Sequence, residues 1–105
     1  MTAQAPEQLA APPLVERADQ LAEVSAAIAV ADRVAIDTEF HGERSYYPRL
    51  MLLQVATANG IWLVDPLALD LRAFVQGLAT GKALVVGHAL KNDLRILWQA
   101  YGASF

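Results

Sequence analysis

Apolar positions along this chain switch between two periods, and the switches mark its elements. From Asp19 to Asp32, Leu21, Val24 and Ile28 recur at three- and four-residue spacing in an alanine-rich segment, which predicts a helix with one apolar stripe and Asp19 as its cap. Arg33 to Glu39 breaks that period, and its run Val34-Ala35-Ile36 predicts an interior strand covered on both faces. Leu50 to Thr57 predicts a second strand. Asn59-Gly60 predicts a tight hairpin, and Ile61 to Val64 a third strand that returns antiparallel before Asp65-Pro66 ends it. Helical spacing resumes at Leu71, Phe74, Val75 and Leu78, with Asp70 as a cap and Gly81 as a stop. Ala83 to Val86 is a fourth, wholly apolar strand, and Leu90, Leu94, Leu97, Trp98 and Tyr101 mark a last helix.

Leu14 to Glu16 adds a short edge strand, and Gly42 to Pro48 reads as a loop. The order is helix, three strands, helix, strand, helix. A strand reached through a helical crossover runs parallel to its neighbour, so the pattern predicts an α/β fold with a mixed sheet and flanking helices. Residues 1–13 carry Pro6, Pro12 and Pro13 among alanines and glutamines, and they read as a flexible leader to a domain over 14–105.

Composition adds a question. Apolar residues make up 55% of the chain and charged ones 18%, against about 45–50% and about 25% in ordinary domains. Either the fold is unusually well buried, or part of this surface is meant for a partner or for further chain. The chain has no cysteine, which excludes disulfides and thiolate metal sites and suits a reducing compartment. Met1 to Ala11 does not resemble a signal peptide, and no apolar run approaches the ~18 residues of a membrane span. A soluble cytoplasmic protein with no membrane partner is expected. With a net charge of −3 there is no overall basic field. A nucleic acid would therefore be held by metal ions and local cations. Arg44, Arg49, Lys91 and Arg95 are the candidates, although exposed charge is the default for each.

The chemistry centres on Asp37 and Glu39. A strand's period of two puts both on one face, where two ionised acids repel unless a cation lies between them. An arbitrary Asp-x-Glu is more often a pair of solvated acids at a strand end. A third acid changes this: Asp93, three after Leu90 and four before Leu97, falls at the margin of the last helix's buried stripe and in its first turn. Carboxyl ends of adjacent parallel strands are where open α/β sheets place their sites, so the three acids are expected to converge. Such a cluster suits Mg2+ or Mn2+ better than zinc. Two such ions about 4 Å apart can activate water and stabilise a leaving oxygen.

Four segments in order carry a resemblance: Val34 to Phe40 (VAIDTEF), Ser45 to Ala56 (SYYPRLMLLQVA), Trp62 to Leu67 (WLVDPL) and Val86 to Leu94 (VGHALKNDL). Together they resemble the first half of a ribonuclease D-type exonuclease domain, of the DEDD group of 3′-to-5′ exonucleases. The resemblance spans about residues 14–101. It implies a ribonuclease H-like fold and two metal ions, with Asp37, Glu39 and Asp93 as catalytic metal ligands. The implied reaction is metal-assisted attack of water on the terminal phosphodiester of a single-stranded RNA or DNA 3′ end. Thr38, facing away from the metals, Phe40, His41, His88 and Asn92 form the implied substrate-binding set. Phe40 and His41 flank the terminal nucleotide, core packing being the equal alternative for Phe40. His88 orients the Gly87–Asn92 link rather than binding metal. Gln54 is read as a buried structural hydrogen-bonder, Trp62 and Trp98 as core, and Tyr46 and Tyr47 as packing residues.

The chain departs from the family in lacking a third motif, a Tyr or His followed by a fourth Asp. Tyr101 is followed four residues on by Phe105. The expectation is a domain incomplete at its carboxyl end, inactive alone, with self-association through uncovered apolar surface. A non-catalytic binding module on a degenerate nuclease fold and a different metal-dependent phosphohydrolase are the alternatives.

Overall fold

The computed structural model describes residues 11–41 and 49–105. Residues 1–10 of the expected leader and the loop residues Arg44, Tyr46 and Tyr47 lie outside the described residues. Eight elements follow in order: β1 (Leu14–Val15), α1 (Ala18–Ala29), β2 (Arg33–His41), β3 (Arg49–Thr57), β4 (Gly60–Val64), α2 (Arg72–Thr80), β5 (Leu84–Val86) and α3 (Leu90–Tyr101). The strands form one mixed sheet in the order β1-β4-β3-β2-β5. β2, β3 and β4 are antiparallel neighbours, while β1 lies parallel to β4 and β5 parallel to β2. This is the α/β mixed sheet that the pattern predicts.

Handedness decides which face the helices cover. The connections β1-α1-β2 and β4-α2-β5 both join parallel strands and both travel toward the β5 edge. Right-handed crossovers in the same direction deliver their helices to the same face. Burial agrees: Val15, Val34, Ile36, Leu53, Val55 and Val64 of the sheet share one core with Val24 of α1, Leu71, Val75 and Leu78 around α2, and Ile96 and Leu97 of α3. Fully burying each of these aliphatics is worth about 1.5–3 kcal/mol.

The opposite face is largely open. Leu14, Ile61 and Leu84 on it are 44%, 46% and 61% exposed, and Ala35, Leu52 and Ala56 are only half-buried. This corrects the expectation that β2 is covered on both faces. β2 is interior in strand order, but three helices on one side leave its odd-numbered positions to solvent.

Several boundaries shift for local reasons. α1 begins at Ala18 and ends at Ala29, because the Gln20 side-chain oxygen, rather than an Asp19 cap, accepts from the backbone N–H groups of Glu16 and Arg17. Asp19 instead accepts from the Arg17 guanidinium, which holds its carboxyl below the usual range. The hairpin loop is Ala58-Asn59, one residue earlier than expected, with Thr57 paired to Gly60 and the Thr57 hydroxyl accepting the Asn59 N–H. Asp70 accepts from the Arg72 N–H at 3.0 Å but stands one residue before the cap position of α2, which Leu71 holds, and the Gly81 N–H closes the helix on the Gly77 carbonyl. Pro13, assigned to the leader, is tied down: its carbonyl accepts from the Leu63 N–H. β5 pairs only with Arg33–Ala35, so beyond Ala35 β2 has β3 as its one paired strand. Among the described residues no helix is long and apolar enough to cross a membrane.

Candidate active site at the carboxyl end of β2

β2 and β5 run parallel, and their carboxyl ends open toward the same edge. β2 continues there into Asp37, Thr38 and Glu39, while β5 leads through Gly87–Ala89 into α3. β2 has an antiparallel neighbour on one side and a parallel one on the other.

Strand alternation separates the three residues of the motif. Asp37 and Glu39 are exposed on the open face. Thr38 between them is 8% exposed and points into the helix-covered face. Asp93, in the first turn of α3 and 7% exposed, meets it there, and the Thr38 hydroxyl donates to Asp93 Oδ1. The structure thus brings Asp93 to the strand position between Asp37 and Glu39 but not into one group with them. Among the described residues no three His, Cys, Asp or Glu side chains gather closely enough to hold a metal ion. That differs from the expected convergence, and the cause is the pleat, which sends residue 38 to the face opposite 37 and 39. As a donor set, three carboxylates remain suited to hard cations such as Mg2+ or Mn2+.

Gln54 is exposed directly across from Asp37. It is not the buried hydrogen-bonder expected from its apolar strand, because it faces the side that none of the described helices covers. Register links it to the site: any residue paired with Asp37 shares its face. Phe40 is 42% exposed, just past an irregularity at which Glu39 opposes Leu52 and Phe40 opposes Leu50, so that β3 carries Met51 as an extra residue. Core packing does not account for it. The backbone of His41 pairs with Arg49 at the end of β2, and its side chain lies outside the described residues. His88 and Asn92 are exposed, and Asn92 Oδ1 accepts from Arg95 at 3.1 Å.

Trp98, expected in the core, is 58% exposed on the outer side of α3, while Trp62 is half-buried over Gly60 as expected. Two cavities lie away from the acids. One of about 290 Å³ sits between α1 and α2, lined by Ile28, Phe74, Leu78 and Lys82 among others. The other, about 540 Å³, opens at the far end of the sheet near Asp32, Arg33 and Asn59. Asp37, Glu39 and Asp93 line neither of these cavities.

Residues 12–104 match the family model described as 3′-5′ exonuclease. Over 91 residues the chain is 36% identical to Ribonuclease D of Nitrobacter hamburgensis, covering 85% of this chain and 24% of that protein. Over 105 residues it is 31% identical to Ribonuclease D of Granulibacter bethesdensis, covering 98% and 27%. Among solved structures, Escherichia coli RNase D, an exoribonuclease involved in structured RNA processing, superposes with a TM-score of 0.76 at 28% identity, covering 85% of this chain and 24% of that one. The Aedes aegypti Nibbler EXO domain shares the fold at a TM-score of 0.75 and 17% identity, covering 89% and 47%. The chain spans about a quarter of the length of the curated relatives it matches. With its motif acids at the carboxyl end of β2 and a family match over nearly its whole length, the chain belongs to the 3′-5′ exonuclease family.

Proposed function

We propose that this chain is the metal-binding first part of a ribonuclease D-type exonuclease that removes nucleotides from single-stranded 3′ ends of RNA or DNA. The observation that carries the reading is the placement of three carboxylates around one residue, Thr38. Asp37 and Glu39 flank Thr38, and Asp93 is bonded to Thr38. Divalent cations, once bound, would activate water and stabilise the leaving oxygen of the terminal phosphodiester. The chain's own residues do the rest. Asp37 and Glu39 hold carboxylates at the open face, and Asp93 would serve as the third oxygen ligand. Phe40 offers an exposed ring on which a terminal base can stack.

Because the chain spans about a quarter of its relatives' length, turnover is proposed for a longer protein that supplies a fourth acid from a Tyr- or His-led motif. These 105 residues alone would bind metal weakly and cleave little. A 5′-labelled oligonucleotide tests this. The protein extended through such a motif is expected to give a shrinking ladder with Mg2+, abolished by Asp37→Asn. Full activity of the extended Asp37→Asn variant would overturn the metal assignment. A strong ladder from the present chain would overturn its inactivity.

One observation favours a second reading, a binding platform without turnover: the three acids do not gather into one group among the described residues. Retention of the labelled oligonucleotide with no shortening, even by the extended protein, would select it.

A further inference from the structure

Thr38 and Asp93 are the buried polar residues among those described, at 8% and 7% exposure, and they are bonded to each other across 55 residues of sequence. Packing alone does not ask for this pair. The neighbours of Thr38 on the same strand face, Val34 and Ile36, and its cross-strand partner Leu53 are all aliphatic, and valine would fill the threonine's volume. Burying a hydroxyl and a carboxylate carries a desolvation cost that their mutual hydrogen bond at most offsets. What the bond does supply is direction. Threonine is β-branched and stiff at its first side-chain torsion, so its hydroxyl is held in one place by the strand. That hydroxyl engages Asp93 Oδ1, and Oδ2 lies outside this bond.

Resting on the exonuclease reading above, we infer that Thr38 is a positioning residue that fixes the orientation of the Asp93 carboxylate at the strand position between Asp37 and Glu39, so that it meets a divalent cation in one set arrangement. Metal-binding carboxylates commonly depend on such outer hydrogen bonds, whose loss costs about 10- to 100-fold in affinity. β2 thereby contributes to the site through both of its faces. Its odd residues offer ligands, and its even one holds the ligand that α3 brings.

The test uses this chain with Thr38→Val, Thr38→Ala, Thr38→Ser and Asp93→Asn. Mn2+ is the probe, its binding followed by the electron paramagnetic resonance of the free ion. Three-bond couplings report the Asp93 side-chain torsion in the metal-free protein, and thermal melting reports the fold. Thr38→Val is expected to average the Asp93 couplings and weaken Mn2+ binding by at least about 10-fold. Thr38→Ser, which keeps the hydroxyl, should restore most of both. Thr38→Ala serves as the hydroxyl-free variant should valine not be accommodated. If the hydroxyl-free variants lower the melting temperature yet keep one Asp93 rotamer and wild-type Mn2+ affinity, the role is merely structural and the proposal falls. If Asp93→Asn weakens Mn2+ binding and the hydroxyl-free variants do not, the proposal falls while the metal reading stands. If Asp93→Asn binds Mn2+ as wild type does, the metal reading of Asp93 falls and takes the proposal with it.

Discussion

Gly87 lies against the main chain of Ile36: a Cβ built on Gly87 would come within 3.0 Å of the Ile36 carbonyl oxygen and 2.6 Å of Leu90 Cδ1. The leucine methyl is the end of a flexible side chain and can move. The carbonyl belongs to β2 and cannot move without disturbing the strand. This close approach brings the link after β5 alongside β2 and sets where α3 begins, hence where Asp93 arrives. Gly87→Ala is expected to cost about 1–3 kcal/mol in urea unfolding, the usual range for forced overpacking. It should also disturb the chemical shifts of both Thr38 and Asp93. Wild-type stability with unchanged shifts would refute the account.

Ala89, the residue before α3, has φ 50° and ψ 50°, a left-handed conformation that costs an L-residue about 1–2 kcal/mol. Ala89→Gly should remove most of that strain, and the greater freedom of glycine in the unfolded chain offsets part of the gain. A net stabilisation of about 0.5–1 kcal/mol is expected from denaturant midpoints.

The last carbonyl of α3 is held from α2. Gln76 Nε2 donates to the Tyr101 oxygen at 3.0 Å, and the Arg72 guanidinium donates to it at 3.3 Å. Gln76→Ala should loosen the end of α3 at a cost of about 0.5–1.5 kcal/mol. Faster amide exchange confined to the last turn would be its signature.

Tyr101 gives a pH prediction. Burial pushes its phenol above the ordinary 10.0, the Asp70 carboxylate adds to the rise, and the Arg72 charge opposes it. The folded state thus favours the neutral phenol. Its contribution is complete below the unfolded value and is lost as pH rises through the raised folded one. Between about pH 9 and about pH 11, wild type should lose more thermal stability than Tyr101→Phe, a difference read by melting the two proteins side by side.

On the open face, Leu84 is 61% exposed and lies on the edge strand β5. Leu84→Glu should leave stability within about 0.5 kcal/mol, since little burial is lost. It should lower any self-association seen by light scattering, because a charge interrupts the apolar surface there.

Much of this fold is legible in the chain because its apolar periods are clean. Among the described residues four strands and three helices fall, to within three residues at their ends, where the switches between periods place them, and Asp93 is buried as its spacing from Leu90 and Leu97 requires. What periodicity does not carry is sidedness. Val34-Ala35-Ile36 reads the same whether one face or two are covered, and the hand and direction of two crossovers settle the matter. The same ambiguity misplaces Gln54, whose apolar neighbours suggest burial on a face that none of the described helices covers. Trp98 is misread because it sits one residue past Leu97, at the rim of the stripe rather than within it. The partnership of Thr38 with Asp93 could not be read at all. Alternation correctly sends Thr38 away from Asp37 and Glu39, but only the tertiary path of α3 reveals what waits on the other side.

The shortness of β5 has a consequence for this segment. Its pairing stops at Ala35, so the stretch of β2 from Ile36 onward presents main-chain donors and acceptors along a flank where no strand adds to the ladder. Backbone groups on that flank, apart from the Ile36 carbonyl that the Gly87 link approaches, have no ladder partner among the described residues and can hydrogen-bond to water or to added chain. The acid-bearing half of β2 is thereby an unfinished ladder rung as well as a row of side chains.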